Sequence, residues 1–423
     1  MRRWRACGRA GARRVSSGED GAGVRGTSMV TEGGANTAAP IPRDPARPAF
    51  LELFFDLTYV FAMISLVKTL ADDVSWTGVG QTLVLLLAFT LVWAVTTWAA
   101  DTLDLSRPAV QVQFIGVAAA SLLLAAAAPD AYDGRGLLFA ITYLAIHLGS
   151  SSYYLLLLPS AAEPRRSGRV FFWYTIAAVG WIGGALATGH TRLLIWAVTI
   201  AMEYVAASLG WPLPKLGRSQ PQEWRLVGER VAERYRQFVI IALGASIFVT
   251  GTTFTRTDYT MERAWALLVV FTIVVLAWRI YIYRAGELLT EAIARSANPS
   301  LLTQSAAVTH LIMVAGIGGM AVTSHLVVLR PFGQTPPAWA AVILGGPALF
   351  LVGRAALDYT VFGRMSRSRL AGLVLLAGAA PAAGLLPPVV VALLAMTILA
   401  LVAAANLVST HRHARVPMPP ALG

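Results

Sequence analysis

The fold class this sequence predicts is an all-α, polytopic transmembrane helix bundle of about twelve spans, and three observations carry that expectation. Of its 423 residues 56% are hydrophobic and only 13% charged, where a soluble domain carries roughly a quarter charged residues. Apolar runs recur from Leu51 to Val408, each about as long as a helix needs to cross a hydrocarbon core of ~30 Å. Between the runs, Lys and Arg fall alternately into richly and sparsely basic connections, the asymmetry expected when positive charge is retained on the cytoplasmic side.

The first 49 residues hold nine of the 34 basic residues, including Arg2, Arg3, Arg5, Arg9, Arg13 and Arg14 among Gly, Ala and Ser. They contain no apolar core of the kind a cleaved signal peptide has, and read as a disordered, basic cytosolic tail. Met29 stands shortly before the first apolar run and is a candidate start alongside Met1.

Cutting the rest at charged, Pro-rich and Gly-rich breaks predicts spans near 51–70, 81–100, 110–128, 137–158, 170–187, 193–209, 235–250, 264–282, 301–323, 339–357, 370–386 and 389–408. Continuous apolar runs favour helices over a β-barrel, whose strands alternate. The seventh is the least regular: its fully apolar part covers only Phe238 to Thr250, so Arg234 and Arg236 are expected to snorkel to the interface.

Counting basic residues in alternate connections tests the division. One side collects Arg107; Arg165, Arg166 and Arg169; Lys215, Arg218, Arg225 and Arg230; Arg284 and Arg295; Arg364, Arg367 and Arg369; and both tails. The other collects Lys68, Arg135, Arg192, Arg256, Arg263 and Arg330. The alternation therefore predicts a multi-pass arrangement with both termini cytoplasmic. The net charge of +12 becomes a topology signal, and no nucleic acid partner is expected. The longest internal connection, residues 211–232, divides the chain into a first half of about six helices, 50–210, and a second, 233–409, followed by a cytosolic tail, 410–423. The starts of the halves align Glu52, Phe54 and Ser65 with Glu233, Tyr235 and Ser246. Were this a duplication, an even number of spans per half would make the repeats parallel.

Few residues offer chemistry. Glu52 and Asp56 lie four apart on one helical face with Tyr59 a turn further, and a charge at that depth costs a few kcal/mol unless paired or hydrated. The functional reading is a proton or cation site on a hydrated cavity. The structural one is a carboxylate bound to an arginine that sets helix register. Candidate charge partners or neighbours at that depth are Arg279, Arg354, Glu203 and Asp101. His147 and His310 fall near the middles of spans four and nine, where an imidazole either relays protons or is simply hydrogen-bonded. Trp93, Trp98, Trp278, Tyr281 and Tyr283 lie near span ends and read mostly as interfacial anchors. Glycines cluster at 180–184, 316–319 and 345–346. Close helix packing explains them by default, with a broken, site-forming helix at 316–319 as the alternative.

One cysteine, Cys7, excludes an internal disulfide, and no metal-ligand spacing, HExxH, P-loop, GxSxG or dinucleotide fingerprint occurs. The chain is expected to be neither enzyme nor metalloprotein, and no cofactor is expected.

These residues resemble the bacterial low temperature requirement protein A (LtrA) family from about Phe50 to Val408. LELFFDLTYVFA at Leu51–Ala62 is the strongest match, followed by TTWAADTLD at Thr96–Asp104, AERYRQFVIIALGAS at Ala232–Ser246, WRIYIY at Trp278–Tyr283 and THLIMVAGI at Thr309–Ile317. The resemblance makes Phe54, Phe55 and Asp56 the family's FFD signature, and matches Glu233, Arg234, Leu243, Gly244, Ser246, His310 and Gly316 to later motifs. Two positions depart: Val231 and Ala245 stand where the family usually has His and Glu. The resemblance implies an integral membrane protein linked by name to growth at low temperature, and implies no reaction. Together with twelve spans and intramembrane acids it leads to an expected secondary transporter or ion-permeation protein. Its candidate site comprises Glu52, Asp56, Tyr59, Glu233, Arg234, Ser246 and His310, with the bilayer and a small solute, proton or cation as partners. The alternative is a non-transporting scaffold or sensor in cold or envelope stress adaptation.

Overall fold

The computed structural model describes residues 50–157, 164–219, 228–282, 285–296 and 298–412, all within one unit spanning 44–423. The expected N-terminal tail, with Met29, lies outside the described residues. Thirteen α-helices form among the described residues. They are α1 (Phe50–Asp72), α2 (Trp76–Thr102), α3 (Pro108–Ala127), α4 (Gly136–Leu157), α5 (Pro164–Leu186), α6 (Gly189–Ser208) and α7 (Gly228–Thr255), then α8 (Met261–Ile282), α9 (Ala285–Arg295), α10 (Pro299–Leu329), α11 (Pro337–Phe362), α12 (Arg367–Ala383) and α13 (Pro388–Arg412).

Punctuation in the sequence sets these ends. Pro108, Pro164, Pro299, Pro337 and Pro388 open their helices, at a position where the missing N–H costs nothing. Ser75 Oγ caps α2 by accepting from the Gly78 amide at 3.1 Å, and Asn298 Oδ1 caps α10 through the Leu301 amide. Gly363 ends α11 at φ 65°, the left-handed cap glycine tolerates best.

Ten of these helices are long and apolar enough to cross a membrane. The count is lower than the twelve expected. The other two expected positions are occupied by α4, whose apolar run is diluted by His147 and Ser150–Ser152, and by α12, which has 17 residues. Two other expectations are corrected. Residues 285–295 form a short helix and not a plain connection, because Leu288, Leu289, Ala292 and Ile293 make an apolar stripe against the bundle. α7 starts at Gly228, so the end of the expected linker is already helical.

α1 packs against α2, α3, α7 and α10; α4 to α6 pack in sequence, and α6 returns to α2. α10 and α11 share the most extensive helix contact among the described residues, and α13 closes on α8, α11 and α12. Gly316, Gly319, Gly346 and Gly353 lie at that α10–α11 contact, where an added Cβ on Gly316 would stand 2.4 Å from the Phe350 nitrogen. α10 runs unbroken through them, so close packing, and not a discontinuous helix, accounts for this cluster. Large apolar side chains such as Leu57, Val179, Leu194 and Val374 point outward, the surface a bilayer covers.

Arg192, assigned to a short connection by sequence, is instead buried and ties three segments together. Its guanidinium donates to the carbonyls of Ala131 at 2.8 Å, Asp133 at 2.9 Å, Ala187 at 3.0 Å and Ala185 at 3.1 Å. Charge-assisted bonds of this kind are worth roughly 1.5–3 kcal/mol each. Arg192→Ala is expected to lower stability by about 3 kcal/mol, read as a fall in melting temperature of the detergent-solubilised protein; an unchanged melting curve would contradict the role.

Candidate functional site

Glu52 and Asp56 stand one turn apart on the buried face of α1, 1% and 5% exposed. Arg230 and Arg234 stand one turn apart on α7, and the two pairs meet in order. Arg230 Nη2 is 3.0 Å from Glu52 Oε1, and Arg234 Nη1 is 3.1 Å from Asp56 Oδ2 and 3.9 Å from Glu52 Oε2. The matching order shows that α1 and α7 run in the same direction, which requires an odd number of crossings between them.

α2 supplies the rest of the cage. Trp93 Nε1 donates to Asp56 Oδ1 at 3.0 Å, and Arg234 Nη2 donates to Thr97 Oγ1 at 3.0 Å. Arg234 Nη1 also donates to Gln237 Oε1 at 2.9 Å. The guanidinium carbon lies 5.6 Å over the Trp93 ring, which stacks on Phe238 at 4.4 Å. Two carboxylates and two guanidiniums thus form a nearly dry, charge-balanced cluster, and their mutual attraction offsets a desolvation cost that neither sign could bear alone. Beside it Trp93, Thr97, Trp98, Val231, Arg234 and Tyr235 line a crevice with room for about one water molecule. Val231, one of the two positions departing from the resembled motifs, forms part of that wall.

Several sequence expectations change here. Arg234 does not snorkel: it is 3% exposed, because Asp56 and Thr97 give it better partners than the interface. Arg236 is the partly exposed one, paired with Glu233 at 2.8 Å. Among the described residues the cations paired with Glu52 and Asp56 are Arg230 and Arg234, where sequence offered Arg279 and Arg354. Arg279 is half-buried near the end of α8, while Arg354 donates to Asp358 at 2.6 Å and to the Ile280 carbonyl, with Arg369 also on Asp358. Glu203 sits apart, among α4, α5 and α6, and the side chain of Asp101 lies outside the described residues. Trp93 is a buried donor and no interfacial anchor, whereas Trp278 is about half exposed.

The remaining site candidates divide. Tyr59, fully buried, packs on Phe55 and Phe89, and its hydroxyl faces Ser121 without a hydrogen bond. Ser246 and His310 belong to another contact. Ser246 Oγ donates to the Ile317 carbonyl at 3.3 Å. His310 Nδ1 is 2.7 Å from the Ala306 carbonyl and therefore carries hydrogen there, leaving Nε2 to accept from Tyr281 Oη at 3.2 Å. Tyr235 stacks over the imidazole at 5.0 Å. α7 thus sends Arg234 towards α1 and α2, and its neighbour Tyr235 towards α10. No cluster of His, Cys, Asp and Glu that could hold a metal ion occurs among the described residues.

A bundle of long apolar helices carrying a buried, neutralised ionic cluster defines the class: a multi-pass α-helical membrane protein in contact with the bilayer. The chain belongs to the family described as bacterial low temperature requirement A protein (LtrA), which matches residues 47–404. It is 33% identical over 314 residues, 73% of this chain and 76% of the relative, to the uncharacterized protein RA0937 of Rhizobium meliloti (strain 1021). No solved structure matches the chain.

Proposed function

We propose that the chain is a secondary transporter or ion-permeation protein of the bacterial cytoplasmic membrane, without enzymatic activity and with both termini in the cytoplasm. The observation that supports it is the two-rung ladder of Glu52 and Asp56 with Arg230 and Arg234. It joins α1 to α7 and is held by charge, so a proton or cation arriving at Asp56 competes directly with Arg234. In this reading the described arrangement is a closed one. A proton taken by Asp56 from the cytoplasmic side removes Arg234's counter-charge, the α1–α7 contact loosens, and the crevice at Trp93 widens for a small solute or ion. Loss of the proton re-forms the ion pair.

The test is proton and cation flux in vesicles containing the purified protein. The wild type is expected to carry flux that Asp56→Asn abolishes while the variant remains folded and monodisperse. The near-dryness of the cluster favours a second reading, a non-transporting scaffold or sensor in cold or envelope adaptation, with the ladder as a permanent clasp. A wild type that moves neither protons nor cations, beside an Asp56→Asn variant that no longer folds, would select that reading and sink the first.

A further inference from the structure

A second buried acid lies away from the α1–α7 ladder. Glu203 of α6 is 1% exposed and no cation lies within ion-pair distance of it among the described residues. Its partners are neutral: Trp181 Nε1 of α5 donates to Oε1 at 2.9 Å, and Tyr143 Oη of α4 lies 2.5 Å from Oε2. The walls are aromatic. Trp181 and Trp196 pack at 5.2 Å, Tyr143 and Trp181 at 4.5 Å, and Tyr174 and Trp211 at 5.5 Å.

The titratable groups facing this acid are few. α4 brings Tyr143 and His147, α5 brings Tyr174, and α6 itself adds Tyr204, whose hydroxyl donates to the Leu87 carbonyl of α2 at 3.0 Å. α2 carries no ionisable residue from Trp76 to Ala100. Arg169 of α5 is directed to the Leu216 carbonyl and to Ser219. A carboxylate in these surroundings would keep its charge against two neutral donors, at a cost of several kcal/mol. Tyr174 Oη and His147 Nε2 are buried without a hydrogen-bond partner, and Tyr174 Oη faces Tyr143.

We propose that Glu203 is a proton-binding site separate from the α1–α7 ladder, a neutral carboxylic acid in this arrangement that releases its proton to water when α4, α5 and α6 part. The balance is simple: the O–H bond of Glu203 breaks, water takes the proton, and the carboxylate left behind needs the water that admitted the change. His147 is stacked on Tyr174 at 3.9 Å and edge-on to Tyr143 at 4.6 Å, packed against both phenols. The site stands whether or not the chain transports anything.

Infrared spectroscopy of the whole protein in vesicles at neutral pH tests it without any flux measurement. The carbonyl stretch of a protonated carboxylic acid is expected in the wild type and in Asp56→Asn, and is expected to vanish in Glu203→Gln, with the melting temperature essentially kept because Gln is also neutral. An unchanged acid band in folded Glu203→Gln, or no such band in the wild type, would overturn the proposal. Should Glu203→Gln fail to fold, Tyr143→Phe decides: loss of its hydrogen bond is expected to move the band to higher frequency, and an unmoved band would count against Glu203.

Discussion

Arg234→Ala is expected to cost about 3–5 kcal/mol, the penalty for breaking a buried ion pair by removing one partner. Against a total stability of roughly 5–15 kcal/mol, that takes away much of the folded protein. The reason is less the lost attraction than what remains. Asp56, 5% exposed, would keep Trp93 as a donor but lose its cation, and Thr97 and Gln237 would lose theirs as well. Adding Asp56→Asn should therefore return part of the loss, because the stranded charge disappears. The pair is expected to be non-additive by about 1–3 kcal/mol, measured by chemical unfolding in detergent. Strict additivity of the two substitutions would show that these residues do not act as one unit. The exposed pair Arg295–Glu291, at 2.6 Å on α9, is the contrast: its loss is expected to be worth less than ~1 kcal/mol.

Gly316→Ala is the second substitution with a large expected effect. A single methyl at this position would meet the Phe350 nitrogen at 2.4 Å and the Gly346 carbonyl oxygen at 2.8 Å. Both are backbone atoms, which cannot turn aside as a side chain would. α10 and α11 must then separate along a contact that also uses Gly319, Gly346 and Gly353. Overpacking typically costs 1–3 kcal/mol, and with unyielding backbone on the far side about 3 kcal/mol is expected. Gly318→Ala is the built-in control. Nothing lies within 4 Å of its added methyl, and alanine is the better helix former by up to ~1 kcal/mol, so that variant should melt at or slightly above the wild type. Equal melting of the two variants would dismiss the contact as a source of stability.

The spans were legible because a bilayer demands continuous apolar length, and Leu51 to Val408 supply it repeatedly. The acids of the site were legible too, as Glu52 and Asp56 share one face four residues apart. Their partners were not, although Arg230 and Arg234 show the same four-residue spacing. Two arginines at the start of an apolar run look like interfacial charges, and only a carboxylate pair 178 residues away in sequence lets Arg234 be buried and draws the partly exposed Arg230 in beside it. Trp93 was hidden by the same logic: near a span end, tryptophan usually marks the interface, and its hydrogen bond to Asp56 is visible only once α1 and α2 are packed. α9 gives no membrane signal, because its 11 residues are too few to cross a bilayer, even though its apolar stripe has helical spacing. The glycines announced a close approach without saying to what.

Consecutive residues of α7 grip different parts of the molecule: Arg234 holds the acids of α1, and Tyr235 lies on the His310 imidazole of α10. Neighbouring positions on a helix are about 100° apart around its axis, so α7 is a spindle with two teeth. Turning it far enough to free Asp56 drags Tyr235 across His310, and shifting Tyr235 pulls on the guanidinium. Whatever disturbs one of these two clusters is therefore felt at the other through torsion of a single helix, with no intermediary.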